Sequence, residues 1–351
     1  VIPELLYSLL AAAAPSGHET PAARAWREGC EPFADEIGSD QVGSSFARVR
    51  GSAGGQVLAL VGHIDEIGLH ITHIEERGLL RFGQIGGWDP VQLVGQRVAI
   101  ATRQGTVRGV IGRKPLHLLD ADARKQAPEL KALHIDIGAR SEEEARERVQ
   151  IGDVAVIDVE PLELADNLVV SRALDNRVGC YVAAQAARIV AQSGRARGDV
   201  LALAVAQEET SFAGSRTSAF AHDPDLAIVI DVTHATDQPG VELGQITKHE
   251  LGSGPVITRG TTLHPAICER LIEAAQAEQI PFTLESEGRA TGTDADAIHL
   301  ARAGIPTGLV SVPLRYMHSP VELVDCRDVE ATARLLAAFA LRLEPGISFA
   351  R

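Results

Sequence analysis

The chain is poor in most of what would commit it to a specialised class. Its only cysteines are Cys30, Cys180, Cys268 and Cys326, far apart and without a Cys-x-x-Cys pair. That excludes a disulfide framework and fits core thiols in a reducing compartment. Aromatic residues make up 4%, too few for a platform on which bases stack or for an aromatic sugar cleft. Positive charge is in deficit: 33 basic against 47 acidic residues leave a net charge of -14, which repels polyanions and argues against nucleic acid as a partner. No segment approaches the roughly 20 apolar residues of a membrane span, and residues 1–15 lack a basic start followed by a cleavable apolar stretch. The expectation is a globular cytoplasmic protein with neither nucleic acid nor membrane as partner. Over 351 residues, 45% hydrophobic content is ample for one large or two ordinary domains.

What is present is ordered along the chain. Residues 3–14 carry helical leucine and alanine spacing up to the breaker Pro15-Ser16-Gly17, and residues 22–30 continue as a second helix. Short strands at 35–37 and 46–49 and a glycine-rich turn at 51–55 lead into the apolar run Val57-Leu58-Ala59-Leu60-Val61. From 68 to about 164 the texture changes to short β-like runs between glycines, at 69–72, 79–82, 97–100, 106–111 and 154–157. From 167 onward, alanine-rich helical stretches at 178–192, 265–279 and 329–343 alternate with apolar runs at 200–206, 226–231 and 306–312. Such alternation predicts an α/β sheet with helices on both faces, interrupted by a small β-barrel or sandwich. The predicted division is 1–67 with 165–351 as the α/β domain and 68–164 as the β-rich insertion.

Five stretches concentrate histidine and carboxylate: Gly62-His63-Ile64-Asp65-Glu66, Leu174-Asp175-Asn176-Arg177, Gln207-Glu208-Glu209-Thr210, Ile230-Asp231-Val232-Thr233 and Met317-His318-Ser319. Three follow the ends of apolar runs, where open α/β sheets bind ligands. A mixed His and carboxylate set suits a pair of divalent cations, and so a two-metal hydrolase. Singly, each residue has a plainer reading. A histidine at a strand end is commonly an ordinary hydrogen-bonded residue, and Asp175 would cap the helix that follows. Glu208 and Glu209, if extended, point to opposite sides, one toward a metal and the other toward a water; a solvated acidic turn explains them equally well. Asp231, at the end of an apolar strand, would be expensive to bury without a cation or donors.

Together, His63-Ile64-Asp65-Glu66-Ile67-Gly68, Asp175-Asn176-Arg177, Glu208-Glu209 with Gly214-Ser215, residues 231–237, Gly292-Thr293-Asp294-Ala295 and residues 315–322 resemble the M42 family of metallo-aminopeptidases, the tetrahedral aminopeptidases. No single motif suffices; six in this order, spanning Ser16-Gly17 to Glu322, are specific. The resemblance implies an aminopeptidase-type mixed sheet with an inserted PDZ-like dimerisation domain. It also implies two divalent metal ions per subunit, zinc or cobalt, with manganese a further option. Asp175 would bridge them, with His63 and Asp231 completing one ion and Glu209 and His318 the other. Glu208 would be the general base, and Asp65 would orient His63. Substrates would be short peptides, cut after a first residue such as Glu, Leu or Lys, and dimers would assemble into a tetrahedral dodecamer. Some relatives carry cellulase labels, so the competing functions are a glycosidase built on Glu208 and Glu209 and a metal-binding assembly protein without turnover. Arg177 and Arg315 would anchor carboxylates or form structural ion pairs, His234 and Asp237 would shape the pocket or a loop, and Thr293 and Asp294 would cap a helix or touch substrate.

Overall fold

The computed structural model describes residues 2–52, 54–244 and 246–350. An 11-stranded mixed sheet forms the frame, with the strands Val200–Val205, Leu58–His63, Leu226–His234 and Thr307–Arg315 side by side and parallel at its centre. These four are the apolar runs of the sequence, and their continuous hydrophobicity has a simple cause. A parallel strand in mid-sheet is buried on both faces, so both alternating sets of side chains must be apolar. Leu58 and Leu60 point into a core covered by the helices Glu4–Ala11, Thr20–Cys30, Leu174–Ser193, Pro265–Ala277 and Cys326–Arg342. Ala59 and Val61 point the other way, toward Ala219, Ala295 and Ile298 of the helices Ala213–His222 and Ala295–Ile298. The fold is therefore α/β with helices on both faces.

The strands Gly68–Ile74, Leu80–Ile85, Leu133–Asp136, Gly105–Arg113, Arg97–Thr102 and Val154–Ile157 close into a separate antiparallel barrel with its own core of Leu69, Ile71, Leu80, Val98, Ile100 and Ile135. Leu133–Asp136 went unforeseen, because a four-residue strand with two inward side chains has too little periodicity to detect. The sheet also gains Leu168–Ser171, Val256–Gly260, Thr283–Glu287 and Glu322–Asp325, none of which stands out as an apolar run. The short strand Leu162–Glu163, ahead of residue 165, pairs with Leu168–Ser171 at the edge of the large sheet. No helix of the described residues is long and apolar enough to cross a membrane.

One glycine controls how closely the sheet and its main helix approach. A Cβ on Gly62 would lie 2.4 Å from the backbone carbon of Gly179 and 2.5 Å from the nitrogen of Cys180, where no side-chain rotation can relieve the clash. Gly62→Ala is expected to push the strand bearing His63 away from the helix bearing Asp175, with a loss of about 1–3 kcal/mol typical of overpacking. Urea denaturation measures it, and a midpoint equal to that of the unaltered chain would contradict the close approach.

Candidate metal centre

The site lies at the carboxyl edge of the central strands. His63 ends its strand, and because Val61 pairs with Val229, Asp231 stands level with His63 on the neighbouring strand. Beyond Val205 the chain turns through Gln207, whose φ of 60° is left-handed, into the single helical turn Glu208–Ser211. The two glutamates are thus on a helical turn and not on extended backbone as expected. Their side chains diverge by the helical angle per residue, and both reach the same cluster. Asp175 sits at the start of Leu174–Ser193, where it and Asn176 have non-helical backbone angles, Ala173 is left-handed (φ 61°), and the Asp175-Asn176 peptide is cis. No side-chain cap bond forms there, so Asp175 is not the helix cap that its position suggested. His318 also has positive φ, 58°. Left-handed non-glycine residues cost of order 1–3 kcal/mol each, and Ala173, Gln207, Phe212 and His318 each flank or form a segment that delivers the site.

The side chains converge. His63 Nε2 lies 3.2 Å from Asp175 Oδ1 and 3.7 Å from Glu208 Oε2. His318 Nε2 lies 3.6 Å from Asp175 Oδ2 and 3.5 Å from Glu209 Oε1. Among the described residues, two groups have ligand atoms all within 4.8 Å of one another: His63 with Asp175 and Glu209, and His63 with Glu208 and Asp231. Glu208 therefore stands where a ligand could stand as well as where a base would. His63, Asp175 and Asp231 are buried, Glu208 and Glu209 nearly so, and His318 is partly open to solvent. Asp65, fully buried, lies 3.5 Å from His63 Nδ1 and accepts the backbone N–H groups of Glu208 at 3.0 Å and Glu209 at 3.1 Å. It thus ties the glutamate turn to the strand of His63.

The electrostatics record crowding of like charge. Burial first, and then the Asp231, Asp294 and Glu209 carboxylates, push Glu208 up to about 10 against the pull of His63. Asp231 is raised well above its usual value by burial and by Asp175, with His63 again opposing. Burial works against the charged imidazole of His63, but Glu208, Asp175 and Asp65 outweigh it and hold its pKa high. His318 rises to about 9, chiefly through Glu209. No lysine or arginine is among the described residues lining the 510 Å³ cleft.

A sequence profile of the M42 glutamyl aminopeptidase family matches residues 43–335. The chain belongs to the M42 aminopeptidase family. A lysyl aminopeptidase of Pyrococcus furiosus is 37% identical over 315 residues, which are 89% of this chain and 88% of that one. The TET aminopeptidase of a marine-sediment Thaumarchaeota archaeon superposes with a TM-score of 0.92 at 35% identity, covering 97% of this chain and 96% of the other. The Pyrococcus horikoshii TET1 peptidase, described as assembling into a tetrahedron or a large octahedral shell, gives a TM-score of 0.85 at 30% identity, covering 97% and 99%. Membership makes this chain a hydrolase of the aminopeptidase class and implies divalent metal ions.

Other residues of this M42 peptidase fall into place around the cluster. Glu322, in the sequence only the end of a motif, is buried and accepts the backbone N–H groups of Asp175 and of His318, both at 3.0 Å, so one carboxylate fixes both segments. Arg177 is fully buried, pairs with Glu66 at 2.7 Å and donates to the carbonyls of Ile64 at 3.3 Å and Ala14 at 3.4 Å, so it ties the end of the His63 strand to the N-terminal segment. Arg315 pairs with Asp237. His234 and Thr293 line the cleft. The Asp294 side chain makes no cap bond to its helix; Thr293 Oγ1 accepts from Ala295 N at 3.2 Å instead, and the Asp294 carboxylate is buried beside Ser215. Gly86 and Gly87, arriving from the barrel, press on the site: a Cβ on them would lie 3.2 Å from Glu209 Oε2 and 3.1 Å from His318 Nδ1 respectively. A glycine pair in a barrel loop offers a sequence no chemical signal of that contact.

Proposed function

We propose that this chain is a two-metal exopeptidase that releases the N-terminal residue from short peptides. The observation that carries it is Asp175, one carboxylate with an imidazole facing each oxygen, His63 at 3.2 Å and His318 at 3.6 Å. His63, Asp175 and Asp231 would hold one ion, and Asp175, Glu209 and His318 the other. The donor set fits: nitrogen and carboxylate ligands suit zinc, cobalt or manganese, and the carboxylates, which outnumber the histidines facing them, call for cationic charge. Bound there, the ions would polarise a scissile carbonyl and make a water more acidic. Glu208 would take the proton from the attacking water and return it to the leaving amine. Asp65 would keep His63 oriented and the Glu208 backbone in place. The acidic cluster also supplies acceptors for the free α-amino group of a peptide, which confines cleavage to the first bond.

A glycosidase needs two carboxyl groups facing each other across a sugar. Here Glu208 and Glu209 each lie against a histidine, which suits metal ligation instead. The likeness to TET peptidases, one of them described as a dodecamer, supports a tetrahedral dodecamer, in which residues 68–164 would serve as the dimerisation domain. The four free cysteines suit a reducing, cytoplasmic location. The test is a tetrapeptide with and without an N-acetyl group. Stepwise release from the free form and none from the acetylated form is expected in mass spectrometry, and internal cleavage would overturn the exopeptidase assignment.

A further inference from the structure

We propose that the cleft selects a cationic first residue, lysine or arginine, through the carboxylates of Glu285 and Glu287. The inference rests on the aminopeptidase reading and adds the substrate class. Both glutamates belong to Thr283–Glu287, two residues apart and so on one face of the strand, and both line the cleft that holds His63 and Asp231. Thr233 fixes the first of them, donating from Oγ1 to Glu285 Oε1 at 3.1 Å. Thr233 also follows Asp231 by two residues on the same strand, which separates them by about 6.6 Å. A carboxylate is thus held about one four-carbon side-chain stem from the acidic cluster. Leu309 and Met317 supply apolar lining that a methylene stem can cover.

The charge of the guest follows from what surrounds Glu285. Among the described lining residues the groups able to carry positive charge are His63, His234 and His318, and there is no lysine or arginine. Of these, His234 acts on Glu285 and favours its ionised form, as Thr233 does, yet burial outweighs both and pushes the carboxyl up. His249 Nε2 lies 3.9 Å from Glu285 Oε1, but that ring is buried and held toward its neutral form. Glu285 therefore lacks a permanent cation. A lysine ammonium or arginine guanidinium would supply one, an apolar side chain would leave the carboxylate without a counter-ion, and an acidic side chain would be repelled.

The experiment uses the metal-loaded full chain and the p-nitroanilides of Lys, Arg, Leu and Glu. kcat/KM for Lys and Arg is expected to exceed that for Leu by about tenfold or more, with Glu the poorest substrate. Glu285→Gln is expected to lower the Lys to Leu ratio by about tenfold, mostly through KM, and Glu287→Gln by about threefold. The ratio is the readout because a merely structural defect would depress both substrates together. Preference for Leu or Glu in the unaltered chain overturns this proposal and leaves the aminopeptidase reading standing, and so does a ratio that neither variant moves. Failure to hydrolyse any of the four would remove the aminopeptidase reading itself, and this inference with it.

Discussion

Glu208→Gln is expected to yield a protein that still loads its metals and turns over peptide slower by about 10²- to 10⁴-fold, the range that a general base contributes. The substitution is nearly isosteric, and the backbone of residue 208 stays anchored because Asp65 accepts its N–H at 3.0 Å. What changes is the ability to accept a proton. In the metal-free protein Glu208 is pushed up to about 10 by burial first and then by its acidic neighbours. Cations among those neighbours would bring it down toward the range where a base works near neutral pH. Glu208 also stands within ligand distance of His63 and Asp231, so kinetics and metal analysis must be done together. Retained metal with lost kcat supports the base. Loss of one ion per subunit would make Glu208 a ligand instead, and turnover within about tenfold of the unaltered chain would eliminate it from proton transfer.

Chelation is expected to abolish activity, with recovery on adding zinc, cobalt or manganese, and also to make stability depend on pH. The sign follows from the raised groups. Unfolded carboxyls titrate near 4–4.5 and histidine near 6.5, whereas in the folded metal-free chain Glu208 titrates at about 10 and His318 at about 9, with Asp231, Glu322 and His63 also raised. Between those limits the folded state binds more protons than the unfolded state. Stability is therefore highest below about pH 4.5 as far as these groups are concerned, and falls as pH rises toward their folded values. A divalent ion at about 100 times its Kd adds about 2.7 kcal/mol and releases the protons it displaces. Calorimetry at pH 5.5 and 9, with and without metal, measures both effects. A melting temperature indifferent to chelation at both pH values would mean that these carboxylates do not hold cations.

Much of the fold could be anticipated because burial on two faces leaves a direct trace in composition. The central strands announce themselves as unbroken apolar runs, and the barrel as short runs between glycines. Edge strands such as Thr283–Glu287, with only partial burial, leave no such trace, yet this one carries Glu285 and Glu287 into the cleft. The site divided in the same way. His63 and Asp231 are marked by position: His63 ends its strand, and Asp231 follows the unbroken apolar run 226–230 within a strand that continues to His234. Asp175 and His318 are not, because an aspartate before a helix and a histidine in a loop are commonplace.

By itself the sequence determined the residue types available for chemistry, the faces each strand would bury, and, through six ordered motifs, the family. It could do so because side-chain identity and hydrophobic period are local properties of the chain. Only the tertiary structure decided that Glu208 and Glu209 leave a helical turn, that Glu322 clasps both Asp175 and His318, and that Gly86 and Gly87 of the barrel border the cluster. The contacts of Glu322 with Asp175 and of the barrel glycines with Glu209 and His318 join segments more than a hundred residues apart, and a backbone N–H or the absence of a Cβ has no signature until the chain has folded around it.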